Sequence, residues 1–482
     1  MRTPSPRPPT GAPGADAASP LAASSARFQT HVVSWNLTRL CNLRCQHCYI
    51  EAGPLKKGEL AGELSTEECL RVVDQIAEVN PNALLILTGG EPLLRRDVFE
   101  IARYANGRGF WVVVGTNGVK ITHDLVRRMI ESGIRGVSLS LDALDPAAHD
   151  RFRGVEGAWE NTVTGSRILN ELGLPFIVQT TIGRHNVGEI EAIARYAFEL
   201  GARVFNLYFL VPTGRGAFIS NIEPEEYEAA MGRLREIQAE FQGRMLVNSK
   251  CAPHYQRVLY EHDPESPFLK TFGAGAGGCP AGTHYCGITP TGDLTPCPYL
   301  PVYGGNLRER SFREIWEGSE VFTRIRARKA LGGRCGACEF NAVCGGCRAR
   351  AFGKTGDYMA EDPWCVYEPG RHGGGLIQFG GAVTYGLPDA RAMRWTAEAE
   401  ERLREAPSFV RGMVSRRVEE YARRQGYAEV TAAVMDEVRR EVLGGRIGRV
   451  PPFVRRMLES RGGAGGSGDV RGAAAGGEDD AT

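Results

Sequence analysis

The chain has 482 residues, with 58 Lys and Arg against 57 Asp and Glu and a formal net charge of +1, which is enough length for about three domains. The balance of charge excludes a strong electrostatic attraction to nucleic acid, and the apolar runs fall far short of the roughly 20 residues that a membrane span needs. The first twenty residues contain six prolines and no continuous apolar stretch, so we expect no secretory signal and predict a cytoplasmic protein.

Both ends of the chain are rich in small residues and proline. Residues 1–27 are dominated by Pro, Ala and Ser, and residues 461–482 by Gly and Ala. Such segments bury too little apolar surface to offset the entropy lost on ordering. We therefore predict a disordered N-terminal arm and a disordered C-terminal tail.

Six β-type stretches alternate with helical patterns between residues 28 and 245. The predicted strands are residues 32–35, 84–88, 111–115, 137–141, 176–181 and 204–209. The predicted helices are residues 66–79, 97–107, 124–132, 159–172, 189–200 and 224–242. Right-handed crossovers of this kind give a doubly wound sheet or a barrel. Six strand–helix units favour an α/β fold, namely a partial (β/α)6 TIM-type barrel.

The composition changes twice after the barrel segment. Between residues 246 and 370 the strand and helix signals thin out while Gly, Pro and Cys accumulate, which is typical of a segment that folds around metal. A linker is predicted at 371–393. Residues 394–460 turn helical again, with Thr396 and Thr431 as candidate N-caps and Gly426 as a candidate C-cap.

Thirteen cysteines, an odd number in clusters, are typical of metal or redox ligands rather than of disulfides. Cys41, Cys45 and Cys48 follow the first predicted strand at the spacing C-x3-C-x2-C. Three thiolates can hold a four-iron cluster and leave one iron open for a substrate or cosubstrate. The alternative is a structural zinc site with His47 as its fourth ligand.

Eight further cysteines follow in the second segment. They are enough to ligate two four-iron clusters completely, which would then conduct electrons; one or two structural zinc sites are the alternative. These cysteines are Cys279, Cys286, Cys297, Cys335, Cys338, Cys344, Cys347 and Cys365. Cys69 and Cys251 are left without a predicted role, Cys69 as an apolar filler of a helix.

The three-cysteine motif, followed by an aromatic residue, resembles the radical S-adenosylmethionine (SAM) superfamily. This resemblance implies that Cys41, Cys45 and Cys48 are catalytic and hold a SAM-binding [4Fe-4S] cluster. It also implies a set of SAM-contacting residues at the carboxyl ends of the strands, where such barrels carry chemistry. These are Tyr49, Gly89, Gly90, Glu91, Pro92, Thr116, Asn117, Ser140, Asp142 and Gln179. Taken singly, Gly89-Gly90 is equally typical of a tight turn, and Glu91 of an exposed loop carboxylate.

The second cysteine group resembles the SPASM extension of radical SAM enzymes, including its Gly-x4-Cys element at Gly292 to Cys297. The resemblance implies two auxiliary [4Fe-4S] clusters. The first would take Cys279, Cys286, Cys297 and Cys347, and the second would take Cys335, Cys338, Cys344 and Cys365. The chain would then comprise a radical SAM core at 28–245, a SPASM-type domain at 246–370 and a small C-terminal helical domain at 394–460.

The helical segment resembles the small domain that ends the B subunit of light-independent protochlorophyllide reductase. The resemblance rests on residues that include Trp395, Ala399, Pro407, Phe409 and Arg411. A helical docking or dimerisation module is the alternative interpretation.

Residues 149–154, 211–216 and 344–358 resemble the tetrapyrrole-modifying branch of the superfamily, which includes the heme synthase of the alternative pathway and its heme d1 relatives. The resemblance implies a radical SAM oxidoreductase that cleaves SAM reductively to a 5′-deoxyadenosyl radical and oxidatively decarboxylates porphyrin propionates. The implied partners are a tetrapyrrole substrate and a reduced ferredoxin or flavodoxin-type electron donor.

Three arginines, Arg215, Arg348 and Arg350, are candidates for pairing with propionates, because guanidinium groups suit carboxylates. A solvated or cluster-screening role is the alternative for each. Two other functions remain open at this point. One is a SPASM maturase that modifies a peptide substrate, and the other is a non-catalytic iron–sulfur electron carrier or scaffold.

Overall fold

The computed structural model describes residues 28–219, 222–270, 278–379, 393–404, 406, 408 and 411–443. The arm and tail predicted at 1–27 and 461–482 lie outside the described residues, as do most of the predicted linker and both Pro407 and Phe409. Within the described part, no helix is sufficiently long and apolar to cross a membrane.

One ten-stranded sheet organises the molecule. Seven parallel strands follow one another in chain order: β1 (Val32–Asn36), β2 (Leu84–Thr88), β3 (Trp111–Thr116), β4 (Val137–Ser140), β5 (Phe176–Ile182), β6 (Val204–Phe209) and β7 (Leu246–Lys250). Beside β1 lie β8 (Tyr285–Ile288), β9 (Asp293–Thr295) and β10 (Gly305–Asn306). β8 pairs parallel with β1, and β9 and β10 run antiparallel. Since β7 and β10 are the two ends of the strand order, the barrel is open, which confirms the predicted partial barrel.

Helices cover the outer face of the sheet between successive strands. They are α1 (Thr66–Val79), α2 (Val98–Gly107), α3 (His123–Glu131), α4 (Pro146–Arg153), α5 (Ala158–Glu171), α6 (Ile190–Glu199), α7 (Pro224–Glu240) and α8 (Tyr255–His262). α1 begins where the Ser65 hydroxyl accepts from the Glu68 N–H at 3.2 Å and the Glu68 carboxylate accepts from the Ser65 N–H at 2.8 Å, a capping box. The helices predicted in this region are confirmed.

The alternation of each strand separates a packed outer face from an open inner face. In β2, Leu85 and Leu87 are fully buried against the helices. Their neighbours Ile86 and Thr88 point the other way and line a cavity inside the barrel. Inner-face residues of β1, β3, β4, β5 and β6 line the same cavity, so polar residues collect around one space.

The segment after β7 returns to the sheet and then folds around cysteines. Its helices are α9 (Phe312–Gly318), α10 (Glu320–Arg326), α11 (Gly333–Ala337) and α12 (Arg348–Thr355). A second apolar core forms here, in which Cys279, Cys297 and Cys347 are buried. β7 begins at Leu246 and pairs with β6, and β8 pairs with β1. Both strands belong to the segment predicted at 246–370, so this segment flanks the six predicted strands on both sides.

The C-terminal helices form a small unit with its own core. It contains β11 (Arg394–Trp395), α13 (Ala397–Arg404), α14 (Arg411–Gln425), β12 (Glu429–Val430) and α15 (Ala432–Leu443). Ser408 attaches this unit to the barrel: its N–H donates to the Asn82 carbonyl at 3.1 Å, and the Asn80 amide donates to its hydroxyl at 3.0 Å. Asn80 and Asn82 precede β2, so the attachment is at the amino ends of the strands.

Candidate functional site

A cavity of about 1230 Å³, counted with the open space at its mouth, lies at the carboxyl ends of the parallel strands. Inner-face residues of six strands contribute Ser34, Thr88, Gly115, Ser138, Ser140, Gln179, Thr181 and Tyr208 to its wall. The three-cysteine loop closes one side, with Cys41, Cys45, Cys48 and Tyr49. This end of the sheet is where barrels of this type carry chemistry.

Hydrogen-bond donors surround the three thiols of the loop. The Leu43 N–H donates to the Cys41 sulfur at 3.4 Å, and the Ala52 N–H donates to the Cys48 sulfur at 3.3 Å. The Arg153 guanidinium lies 3.8 Å from the Cys45 sulfur. Burial raises the pKa of Cys41 to about 12. Since a metal ligand must be a thiolate, these donors supply the compensation that a buried thiolate requires.

Asp142 holds Arg153 in place rather than lining the cavity. Its carboxylate is fully buried, accepts from the Arg153 guanidinium at 2.7 Å and accepts from the Thr181 N–H at 2.8 Å. The positive charge of Arg153 holds the pKa of Asp142 below its usual range, against the effect of burial. Asp142 was predicted to contact SAM. In the structure it lies behind Arg153, and Arg153 is the residue that faces the cysteine loop.

Glu91 likewise lies behind the cavity wall. Its buried carboxylate accepts from the Asn117 N–H at 2.9 Å, the Thr116 hydroxyl at 2.8 Å and the Leu93 N–H at 3.1 Å. Burial raises the pKa of Glu91 to about 7. The carboxylate braces the ends of β2 and β3 against each other, so its interpretation as an exposed loop residue is wrong. Pro92 begins the following turn and does not contact the cavity either.

Gly89 and Gly90 lie where the cysteine loop and β2 come closest. A Cβ atom on Gly90 would lie 2.3 Å from the Leu40 carbonyl oxygen, and one on Gly89 would lie 2.6 Å from the Thr38 carbonyl oxygen. The Gly90 N–H donates to the Thr38 carbonyl at 2.7 Å. Because no side chain fits, these glycines fix the distance between the cysteine loop and the sheet. They line the cavity, as do the predicted residues Tyr49, Thr116, Asn117, Ser140 and Gln179.

A second cavity, of about 380 Å³, contains four of the predicted cluster ligands in its wall: Cys335, Cys338, Cys344 and Cys365. Burial raises the pKa of Cys344 well above its ordinary value. His254 also lines this cavity, and neither of its buried ring nitrogens has a hydrogen-bond partner within the described part of the chain. The structure thus brings together the cysteines predicted for the second auxiliary cluster.

The structure brings together only part of the group of cysteines predicted for the first auxiliary cluster. Cys279, Cys297 and Cys347 share one buried core, which Cys335 of the other group also joins, but Cys286 does not belong to it. Cys286 packs in the main barrel core instead, with its sulfur 3.7 Å from the Thr30 hydroxyl. The reason is strand alternation: Tyr285 of β8 lines the cavity, so the next residue points to the opposite face. The structure therefore does not bring Cys286 together with the other cysteines predicted for the first auxiliary cluster.

Cys251, which has no predicted role, lies with these three cysteines. It packs against their core, its thiol hydrogen-bonds with that of Cys347, and that bond raises the pKa of Cys251 well above its ordinary value. Cys251 also lines the large cavity. A cysteine isolated in sequence carries no spacing signal, which is why sequence reasoning did not place Cys251 in this group.

The three candidate arginines have different surroundings. Arg348 and Arg350 are completely buried, the first bonded to the carbonyls of Tyr358 and Ala360 and the second paired with Asp362. Neither can reach a substrate, so their suggested pairing with propionates is wrong. Arg215 does line the cavity, with its guanidinium donating to the carbonyls of Cys45 and Ala52.

Tyrosines form an aromatic wall between the cysteine loop and Cys251. The ring of Tyr299 lies 4.5 Å from that of Tyr49 and 6.2 Å from that of Tyr208, between ring centres. Tyr285 completes the wall. Tyr49 was predicted as a site residue, whereas Tyr208, Tyr285 and Tyr299 were missed in the sequence, although Tyr208 lies on the inner face of a predicted strand.

The cysteine groups fit iron–sulfur clusters in number, chemistry and placement. Among the described residues, no three metal-ligating side chains converge closely enough to hold one metal ion. The predicted ligands line two cavities and a buried core beside them, and thiolates are the ligands that iron–sulfur clusters prefer. The second cavity offers four thiols, whereas the loop offers three and faces an open space.

Three family models match parts of this chain. The Radical SAM superfamily model matches residues 35–197, the iron–sulfur cluster-binding domain called SPASM matches residues 279–339, and the model of the proto-chlorophyllide reductase 57 kD subunit matches residues 395–439. An AdoMet-dependent heme synthase of Methanosarcina barkeri is 42% identical over 345 residues, which is 70% of this chain and 97% of the relative. A pre-heme d1 synthase of Dinoroseobacter shibae is 32% identical and covers 69% of this chain and 85% of its own length.

Solved structures share the fold. Streptococcus suis SuiB, in structures bound to S-adenosylmethionine and to its precursor peptide SuiA, aligns with TM-scores of 0.57 and 0.58 at 16% identity. The alignments cover 70% and 72% of this chain and 78% of SuiB.

The chain belongs to the radical SAM superfamily and is an enzyme of its SPASM-containing group. Within that group it resembles the tetrapyrrole-modifying branch. Its cofactors are a SAM-binding [4Fe-4S] cluster, auxiliary iron–sulfur clusters and SAM.

Proposed function

We propose that this enzyme oxidatively decarboxylates propionate side chains of an iron porphyrin. The observation that carries the proposal is the 42% identity to an AdoMet-dependent heme synthase along 97% of that relative. In the overall change, a propionate becomes a vinyl group and releases carbon dioxide, one hydrogen atom and one electron. The substrate must therefore meet both a hydrogen acceptor and an electron acceptor.

The cavity has features that suit both requirements. Cys41, Cys45 and Cys48 would hold the cluster that binds SAM, and together these two cofactors supply a radical that abstracts hydrogen. Cys251 borders the same space from the auxiliary side, so an electron has a short path toward the auxiliary cysteines. A reduced ferredoxin or flavodoxin-type protein would supply the electron that starts each turnover.

The cavity wall also suits a flat, anionic substrate. Tyr49, Tyr208 and Tyr299 present aromatic surface on one side, and planar rings stack favourably on such surface. Arg215 lines the same space and supplies positive charge, which favours carboxylates; Arg153 lies beside it, with its charge paired with Asp142. Their guanidinium groups are held by Asp142 and by loop carbonyls, so they are oriented before a substrate enters.

The test uses the full chain, reconstituted anaerobically with iron and sulfide and supplied with SAM, dithionite and iron-coproporphyrin III. We expect the porphyrin to lose one carboxyl group and one hydrogen per converted propionate, with one 5′-deoxyadenosine formed for each. Cys45→Ala is the control, since methyl cannot ligate iron; it should form neither product.

A porphyrin of unchanged mass beside abundant 5′-deoxyadenosine would reject the substrate and favour a peptide, the kind of molecule that SuiB binds in its solved complex. Failure to form 5′-deoxyadenosine with any substrate would favour an electron carrier or scaffold.

A further inference from the structure

We propose that Cys251 is the fourth protein ligand of the first auxiliary cluster, beside Cys279, Cys297 and Cys347, and that Cys286 is not a ligand. The proposal concerns where this chain binds iron and does not depend on which substrate the enzyme uses. It rests on the positions of five cysteines and on the contacts that fix them.

Cys286 is held away from the other thiols by its strand. Val33 of β1 is its registered neighbour, and the adjacent Gly287 pairs with both Ser34 of β1 and Thr295 of β9. Turning its side chain toward the cavity would require a register shift of one residue, which would exchange every inward and outward residue of β8. Cys286 is also fully buried in the barrel core, so the side chain has no room to turn.

Cys251 is placed among the three cysteines by a buried ion pair. The guanidinium of Arg350 donates to the Cys251 carbonyl at 2.8 Å and to the Asp362 carboxylate at 2.9 Å. The same Asp362 oxygen accepts from the Cys347 N–H at 2.8 Å. One pair of charged side chains thus fixes the backbones of Cys251 and Cys347 relative to each other.

The backbone of Cys251 is itself unusual. Its φ is +59°, in the left-handed region, a backbone conformation that non-glycine residues adopt only where the surrounding structure holds them in it. That conformation follows the last residue of β7 and turns the thiol toward Cys347 and the core that holds Cys297. Four thiols from four separated positions in the chain thereby surround one site, and four is the number that a closed four-iron cluster requires.

The position of Cys251 gives the cluster a defined relation to the cavity. Cys251 is in the cavity wall and also in contact with the auxiliary core. As an iron ligand, the Cys251 sulfur would therefore lie between the auxiliary cluster and the cavity in which the substrate binds.

The experiment compares Cys251→Ala with Cys286→Ala in the full chain after anaerobic reconstitution. Iron and sulfide per chain, Mössbauer spectra and EPR spectra of the reduced protein are measured. We expect Cys251→Ala to lose up to about a third of its iron, one cluster of three, or to yield a three-iron signal. Cys286→Ala should keep the wild-type iron content and spectra. Cys69→Ser, at another buried thiol, controls for the loss of any sulfur.

A reversed result, in which Cys286→Ala loses iron and Cys251→Ala retains it, would overturn the proposal, as would full retention in both. Cys251→Asp covers the case in which the alanine variant does not fold, because a carboxylate can also bind iron. It should retain the cluster with altered EPR g-values, and a spectrum identical to that of the wild type would count against ligation by residue 251.

Discussion

At the scale of single residues, Arg350 and Asp362 form an ion pair in the interior that also positions two cysteines. Both side chains are completely buried, and their charged atoms approach to 2.8 Å. The two residues also bond to Cys251 and Cys347. Breaking such a pair leaves one charge without compensation in a medium that solvates it poorly.

We expect Asp362→Asn to destabilise the folded protein by about 3–5 kcal/mol, because Arg350 would stay charged and buried. The measurement is the denaturant midpoint of anaerobic protein. Glu368→Gln is the matched control: its carboxylate pairs with Arg334 at 3.4 Å and its side chain is 66% exposed, so its loss should cost no more than about 0.5 kcal/mol. Equal costs for the two variants would contradict the assigned role of the buried pair.

Glu91 makes stability depend on pH with a definite sign. Its pKa is about 7 in the folded chain against an ordinary value of 4.5, so the folded state binds the proton more tightly. This contribution to stability is complete below about pH 4.5 and is lost as the pH rises to about 7, an effect on the order of 3 kcal/mol. Glu91→Gln should remove it. Denaturant midpoints from about pH 5 to 8 test this, and a wild-type advantage that grows with pH would contradict it.

At the scale of elements, the cysteine loop depends on close backbone contact with the end of β2. Gly90→Ala would place a methyl group 2.3 Å from the Leu40 carbonyl oxygen, so the loop must move. We expect this variant to lose the loop's cluster and SAM cleavage while the auxiliary signals remain. Gly188→Ala, at a glycine with open space around it, is the control and should behave as the wild type. Intact SAM cleavage in Gly90→Ala would show that the loop tolerates the movement.

Sequence periodicity located most elements but not all. The strands from β1 to β6 contain mainly branched and aromatic residues, which predicted them as strands. The helices between them often end at glycine, which predicted their C-terminal ends. β7 has only two apolar residues, Leu246 and Val247, followed by Asn, Ser and Lys, and α4 has a mostly polar sequence. Their formation depends on neighbours in space, the β6 ladder and the Asp145 cap, which local composition does not contain.

Cysteine spacing predicted those groups of ligands whose members lie close together in the sequence. Cys41, Cys45 and Cys48 are near in sequence and therefore near in space. The same holds for Cys335, Cys338 and Cys344, which Cys365 joins in the wall of the second cavity. The proposed exchange of Cys286 for Cys251 could not be predicted in this way. It depends on the direction of a side chain from β8 and on a segment that is distant in sequence.

At the scale of the whole molecule, the catalytic cavity and the helical C-terminal unit lie at opposite ends of the barrel. The cavity opens at the carboxyl ends of the strands. Ser408 joins the helical unit to Asn80, to Asn82 and to His31, whose ring nitrogen lies 2.9 Å from the Ser408 hydroxyl. All three partners precede strands. The proto-chlorophyllide-reductase-like unit therefore contributes no described residue to the cavity wall.

A chain that ends at residue 392 should consequently retain SAM cleavage within about twofold of the full chain and the same iron per chain, because each described cysteine group lies before that point. Removing the unit deletes the hydrogen bonds of Ser408 with Asn80 and Asn82, so a lower denaturant midpoint is expected, at roughly 0.5–1.5 kcal/mol for each bond. Ser408→Ala in the full chain separates the two effects: it removes the hydroxyl's hydrogen bonds but leaves the unit in place. Loss of 5′-deoxyadenosine formation in the shortened chain, with its iron content intact, would mean that the helical unit acts on the cavity from the far end of the barrel.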